Sequence, residues 1–237
     1  MVIDILSVVP DLLMSPISHS ILKRAQDKGL ATIKVHNIRD YATDKHKSVD
    51  DTLYGGGAGM VMKIEPIAAC IRSLQETQTY SEIIYLTPDG EPFTQALANE
   101  LSLLPSVLML CGHYKGIDQR IRDQFITREI SIGDYVLSGG ELPALVLTDA
   151  LVRLLPGVLN DETSALADSF QDGLLDAPAY TRPVDFEGLT VPEVLLSGHF
   201  GKIDAWREAQ REEKTQHRRP DLWKKYQELQ GDTLGDA

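Results

Sequence analysis

Three short glycine-containing loops constrain the fold of this chain most. Each loop directly follows an apolar run that predicts a strand. They cover residues 86–90, 111–116 and 131–140. Loops that follow parallel strands meet at one edge of an open α/β sheet, where such folds bind ligands. Glycine also lets a ligand approach the main chain closely. Together the loops predict one pocket built largely from backbone groups, whereas any one of them alone would be interpreted as an ordinary turn.

Predicted strands and helices alternate along the first two thirds of the chain. The strands are predicted near residues 2–9, 32–38, 82–86, 107–111 and 128–132, and the helices near 11–28, 65–75, 93–103, 117–124 and 139–155. This alternation predicts an α/β fold with a parallel sheet that helices cover on both faces. Residues 39–60 lack apolar periodicity, and an irregular segment of that length is usually functional.

The composition changes after Pro156 and Gly157, which predicts a second domain. We expect an α/β domain over residues 1–159 and a small, polar linker over residues 160–169. Helical patterns near 201–213 and 220–229 predict a small helical domain over residues 170–237, with Trp206 in its core.

The charge distribution bears on the class of partner. A net charge of −12 taken alone argues against nucleic acid. However, residues 23–47 carry seven Lys and Arg against three Asp, and residues 202–225 carry eight against five acidic residues. These segments would suit a phosphate backbone, although solvated helix faces produce the same pattern.

Other features of the composition exclude several classes. Cys70 and Cys111 lie in apolar segments without metal-ligand spacing, so we expect packed, reduced thiols of a cytoplasmic protein and no metal centre. The N-terminus has no positively charged leader. The longest apolar stretch, residues 142–159, contains Asp149 and Arg153, which argues against a membrane span.

Three features have both a structural and a functional interpretation. Arg153 could pair with Asp149 one helical turn earlier, or it could stabilise developing negative charge. Asp168 could cap the segment that follows or act as a base, and on spacing alone the carboxylates at positions 161, 162, 172 and 176 are equal candidates. The glycine run at residues 54–60 lacks the lysine and hydroxyl of a phosphate loop, so it is either a hinge or a backbone surface for a flat or anionic ligand.

Four motifs carry a specific resemblance to a known family. They are Tyr-Gly-Gly-Gly-Ala-Gly-Met at residues 54–60, Ser-Ile-Gly-Asp-Tyr-Val-Leu-Ser-Gly-Gly-Glu-Leu-Pro at 131–143, Pro-Gly-Val-Leu at 156–159 and Val-Leu-Leu-Ser-Gly at 194–198. Over about residues 1–228 the chain resembles the bacterial tRNA (guanine-N1)-methyltransferases. The resemblance implies a SPOUT-type fold with a deep trefoil knot and an obligate homodimer. It also implies methyl transfer from S-adenosylmethionine to N1 of the guanosine at tRNA position 37.

The same resemblance implies roles for individual residues. It makes Asp168 the general base and Arg153 the cation at guanine O6, in a site that is complete only in the dimer. Asp50, Gly55, Gly59 and Ser164 would hold the acceptor. The methyl donor would lie against thirteen residues of the three loops: Tyr85, Leu86, Thr87, Pro88, Gly112, Tyr114, Ile132, Gly133, Tyr135, Leu137, Gly139, Gly140 and Pro143.

The chain departs from the family's pattern at three positions. Lys115 stands where the family has a carboxylate linked to activity and to magnesium dependence, which leaves a role for Mg²⁺ open. His113 replaces an arginine, and Ala179 stands where a histidine is common. Two alternatives therefore remain: an RNA-binding protein that binds the donor but has impaired catalysis because of Lys115, and another SPOUT RNA methyltransferase.

Overall fold

The structure, a computed structural model, describes residues 1–159 and 168–235, with side chains described through residue 230. The chain divides into two compact units, Met1–Glu162 and Thr163–Ala237. Each unit is described by itself.

A five-stranded parallel sheet forms the centre of the first unit, in the order β2-β1-β6-β5-β7. Its strands are β1 (Val2–Ser7), β2 (Thr32–Asn37), β5 (Glu82–Pro92), β6 (Ser106–Cys111) and β7 (Arg128–Ser131). The helices of this unit are α1 (Asp11–Ile17), α2 (Ser20–Asp27), α3 (Ile64–Gln75), α4 (Gln95–Ser102), α5 (Gln119–Phe125) and α6 (Glu141–Val152). The predicted α/β fold with a parallel sheet is confirmed.

Two apolar clusters cover the two faces of the sheet. The side chains of β1 alternate between the two clusters. Ile3 and Ile5 pack in one cluster, and Leu6 packs in the other. All six residues of β6 are buried. A strand with both faces covered reads as a continuous apolar run, which explains why the sequence pattern located the parallel strands.

The single helix predicted over residues 11–28 is wrong, because the chain forms α1 and α2 with a break between them. Pro16 lies in the last turn of α1, where its ring and missing N–H oppose continuation of the helix. His19 is extended, and Ser20 adopts a φ of +51°. Ser18 Oγ donates to the carbonyl oxygen of Ser15 at 2.9 Å, which helps to satisfy the open end of α1.

The irregular segment predicted over residues 39–60 contains some regular structure. A 3₁₀ turn covers Ile38–Tyr41, and β3 (Asp50–Thr52) pairs antiparallel with β4 (Met60–Met62). The glycine run lies between these two strands, and Gly55, Gly56, Gly57 and Gly59 all have positive φ values. These left-handed conformations favour glycine and explain the composition of the turn.

The loop predicted at residues 86–90 lies within the bounds of β5 rather than after it. The strand pairs Leu86 with Ile130, and then pairs Glu91 with the same Ile130. Residues 87–90 therefore leave the ladder and project from the edge of the sheet, after which the strand resumes its pairing with β7.

The second unit contains a short hairpin and three helices among its described residues. Strands β8 (Asp185–Phe186) and β9 (Leu189–Thr190) are antiparallel, and the helices are α7 (Glu193–Leu196), α8 (Phe200–Arg218) and α9 (Pro220–Gly235). Leu174 and Ile203 are buried, and the Leu175 N–H donates to the buried Thr215 Oγ1 at 2.9 Å. Trp206 is half-buried.

Both cysteines are buried free thiols in the first unit, as the sequence predicts. Burial raises the pKa of the Cys70 thiol to about 12 from an ordinary value of 9.0. A raised pKa means that the folded state holds the proton more tightly, so this contribution is complete below pH 9 and is lost as the pH rises toward 12.

We therefore expect the free energy of unfolding to fall by about 1 kcal/mol between pH 8 and pH 10 through Cys70 alone. Urea denaturation under reducing conditions at several pH values measures this loss. Cys70→Ala removes the titrating group, so its unfolding free energy should depend less steeply on pH. Equal pH slopes for Cys70→Ala and the unmodified chain would contradict the assignment.

Candidate active site

The three loops surround a cavity of about 470 Å³ at the carboxyl edge of the sheet. That volume lies in the range typical of small-molecule sites. All thirteen residues that the sequence analysis assigned to the donor lie on its wall: Tyr85, Leu86, Thr87, Pro88, Gly112, Tyr114, Ile132, Gly133, Tyr135, Leu137, Gly139, Gly140 and Pro143. The structure thus brings together residues from three separated segments, as the loop pattern predicts.

Main-chain contacts hold the second loop, residues 111–116, against the third loop, residues 131–140. The Gly140 N–H donates to the Gly112 carbonyl oxygen at 2.9 Å, and a β-bridge joins His113 to Gly139. A Cβ atom on Gly140 would lie 2.6 Å from Cys111 Cα and 2.9 Å from the Gly112 nitrogen. The two backbones therefore approach so closely that only glycine fits at this position.

Tyr85 and Arg122 form another part of the wall. Tyr85 is buried, and burial raises the pKa of its hydroxyl. The Arg122 guanidinium lies 5.4 Å from the Tyr85 ring centroid, within range of a cation–π contact. Arg122 also pairs with Asp89 at 2.7 Å and with Glu129. The Thr87 hydroxyl and Arg122 both donate to Asp89 and hold the pKa of its carboxyl below the ordinary value.

A buried carboxylate lies next to the cavity on the side of α6. Glu141, the first residue of α6, is 1% exposed. Its Oε1 accepts from Ser7 Oγ at 2.5 Å, and its Oε2 accepts from His113 Nε2 at 2.8 Å. His113 itself lines the cavity. Reasoning from the sequence missed this cluster, because 134 positions separate Ser7 from Glu141 and no motif links them.

The proposed acceptor residues of the β3–β4 hairpin lie outside the cavity wall. Asp50 is half-buried in β3, whereas Gly55 and Gly59 are exposed in the turn. The hairpin nevertheless contacts the second loop, because the Lys115 N–H donates to the Met60 carbonyl oxygen at 2.9 Å. A Cβ on Gly59 would lie 3.0 Å from Cγ of Lys115, whose side chain lines the cavity. Lys115 therefore bridges the turn and the cavity.

Arg153 lies away from the cavity of its own chain. It follows the last residue of α6, whereas the cavity lies at the first turn of this helix, and twelve helical residues span about 18 Å. Asp168 is half-buried at the beginning of the described part of the second unit. Ser164 and most of the predicted linker lie outside the described residues.

The sequence family follows from comparison with known proteins. The family model described as tRNA (guanine-1)-methyltransferase TrmD matches residues 1–225. The chain belongs to the TrmD family. The curated relatives include proteins named tRNA (guanine-N(1)-)-methyltransferase from Flavobacterium psychrophilum, 64% identical over 93% of this chain and 98% of the relative, and from Bacteroides fragilis, 59% identical over the same shares. A Cytophaga hutchinsonii relative of that name is 58% identical over 94% of this chain and 95% of its own length.

None of the helices in residues 1–159 and 168–235 is long and apolar enough to cross a membrane. Within the same part of the chain, no three His, Cys, Asp or Glu side chains form a group that could hold a metal ion.

Proposed function

We propose that this chain transfers a methyl group from S-adenosylmethionine to N1 of the guanosine at tRNA position 37. The observation that carries the proposal is the single cavity on whose wall all thirteen expected donor residues lie. The family supports the reaction class, because the relatives' name specifies a tRNA guanine-N1 methyltransferase.

The cavity has the chemistry that a nucleoside-containing donor requires. Backbone groups of the second and third loops can bind the polar edges of an adenine ring and an amino-acid group, while Leu86, Leu137 and Pro143 offer apolar contact. The close approach at Gly140 packs the third loop against the second and so fixes the position of their backbone groups at the cavity wall. S-adenosylmethionine supplies an activated methyl group on a sulfonium, so the protein has mainly to orient it.

The acceptor requires two further groups. Guanine N1 carries a proton in the neutral base, and loss of that proton places negative charge largely on O6. In the proposal the Asp168 carboxylate accepts the N1 proton, and the Arg153 guanidinium stabilises the charge on O6. Asp50, Gly55 and Gly59 hold the extruded nucleotide together with Ser164, in the manner of enzymes that take their target base out of the stack.

The position of Arg153 supports a homodimeric site. An arginine about 18 Å along α6 from its own cavity can serve a transfer reaction at the cavity of a second subunit. The surface of α1 and α6 also supports self-association, since these helices pack together and expose Leu12, Met14, Leu142 and Val146. Exposed apolar clusters of this kind are typical of protein interfaces. The dimer therefore belongs to the proposal.

The proposal includes the finer architecture. Residues 1–159 would form the knotted donor-binding domain, residues 160–169 the linker, and residues 170–237 a domain that binds tRNA through basic residues of α8 and α9. The contact of residues 139–140 with residues 112–113 supports the trefoil knot, because the chain after β7 passes against the loop after β6. We propose a cytoplasmic location and assign no step to Mg²⁺.

Methyl transfer to defined transcripts tests the function. With labelled S-adenosylmethionine, we expect the chain to methylate unmodified tRNA that carries guanosine 37. Transcripts with adenosine at position 37 should accept less than about a hundredth as much, because adenine N1 carries no proton for Asp168 to remove and offers no O6 to Arg153.

Each other outcome of this assay identifies a different function. Equal methylation of both transcripts would indicate another RNA methyltransferase of the same fold. Binding of the donor and of tRNA without transfer would indicate an RNA-binding protein whose catalysis is impaired at Lys115. Mapping the methylated atom by nuclease digestion and mass spectrometry distinguishes N1 of guanosine from other positions.

A further inference from the structure

The Ser7–Glu141–His113 cluster places a buried carboxyl group next to the cavity wall, through His113. Ser7 Oγ accepts from the Val9 N–H at 2.8 Å, so its hydroxyl hydrogen is available to Glu141 Oε1. His113 Nε2 lies 2.8 Å from the other oxygen. Both oxygens of Glu141 thus have a hydrogen-bond partner, as buried polar atoms require.

Glu141 has no strong cationic partner among residues 1–159 and 168–230. Its one ion pair there is with His113, and no lysine or arginine side chain of that set lies within 4.0 Å. Burial of a carboxylate that a permanent cation does not neutralise is costly, so such a group is unusual unless it serves a ligand. Water is excluded around this side chain, which is 1% exposed, so its charge is weakly screened and acts strongly on nearby groups.

The path from this charge to the cavity is short. Glu141 Oε2 lies 2.8 Å from the imidazole of His113, which is 18% exposed and lines the cavity. A Cβ on Gly139, another residue of the wall, would clash with both His113 and the Glu141 carboxylate. The His113 imidazole and the Gly139 backbone therefore lie between the carboxylate and the cavity.

We propose that Glu141 makes the cavity prefer a positively charged sulfonium donor to its neutral thioether product. The inference rests on the proposed function, since that function names the two ligands. S-adenosylmethionine loses its positive charge when it becomes S-adenosylhomocysteine, while the rest of the molecule keeps its shape. A fixed negative charge next to the site favours the first over the second and so helps the spent product to leave.

Isothermal titration of both ligands tests the inference by the ratio of their dissociation constants. Glu141→Gln keeps the size of the side chain but removes the charge, so the preference for the sulfonium should fall by about thirtyfold, as for unit charges about 8 Å apart at an effective dielectric constant of about 20. Ser7→Ala is the matched control. It removes one hydrogen bond to Glu141 and keeps the charge, so the ratio should stay unchanged even if both affinities decline.

A second variant keeps the test decisive if Glu141→Gln folds poorly. His113→Lys leaves the carboxylate in place but sets a permanent cation beside it, and the ratio should again shift toward the thioether. Equal losses of affinity for both ligands in Glu141→Gln and His113→Lys would mean that the cluster only supports the fold. That result would overturn this inference but not the proposed function. Failure of the unmodified chain to bind either ligand would instead refute the proposed function.

Discussion

Asp168→Asn should abolish methyl transfer while the donor still binds. The substitution is nearly isosteric, but an amide cannot accept the N1 proton, and loss of a general base typically costs about 10²- to 10⁴-fold in rate. We expect single-turnover transfer to guanosine-37 tRNA to fall by about 10³-fold. The dissociation constant for S-adenosylmethionine should stay within about twofold, because Asp168 is not among the residues assigned to the donor.

Asp176→Asn provides the matched control for Asp168. Both are half-buried aspartates in the same unit, and the linker pattern alone did not distinguish between them. Asp172 is less suitable, since it forms an ion pair with Arg211 at 2.5 Å and its replacement would disturb the fold of that unit. Turnover by Asp168→Asn close to that of Asp176→Asn would remove Asp168 from its proposed role.

The sheet and the cavity could be predicted because their signal is local. The buried strands read as apolar runs, and glycine-containing loops interrupt β5 and follow β6 and β7 near one edge of the sheet. The fold then brings these loops to one edge, so a pocket follows from strand order without knowledge of side-chain positions. For the same reason the thirteen donor residues, found through motifs, fall on one wall.

Features that depend on pairing or on one residue's geometry were not predictable in this way. Strands β3 and β4 have three residues each, too few for a period-two pattern, so their segment was interpreted as irregular. Apolar periodicity continues across Ser18 and Ser20 although the helix does not. The partners of Glu141 come from β1 and the second loop, and such tertiary contacts leave no periodic trace in the sequence.

Arg153 shows that a family resemblance can assign a role without giving the geometry. The resemblance implies a cation at guanine O6 in a site that two subunits complete, and within one subunit Arg153 follows α6, about 18 Å from the cavity. A single sequence does not say which copy of a chain completes a site. The structure of one subunit makes the question explicit, and self-association through α1 and α6 is the proposed answer.

Gly140→Ala should abolish donor binding, with a loss of affinity of about 100-fold or more. Gly140 has φ −81° and ψ −3°, a conformation that alanine adopts without strain. The expected effect is therefore purely steric. The added methyl would lie 2.6 Å from Cys111 Cα, a backbone atom at the end of a fully buried strand that cannot give way. This steric clash is relieved only if the second and third loops separate, which breaks the hydrogen bond from Gly140 to Gly112.

Gly201→Ala is the control for this substitution. Gly201 lies in α8, where the nearest atom to an added Cβ is 3.6 Å away, so alanine should leave donor affinity unchanged and should slightly stabilise the helix. Donor titration and thermal unfolding of both variants separate a local effect from general loss of structure. Donor affinity of Gly140→Ala within about twofold of the unmodified chain, in a folded protein, would mean that the packed backbone of these two loops is not the donor site.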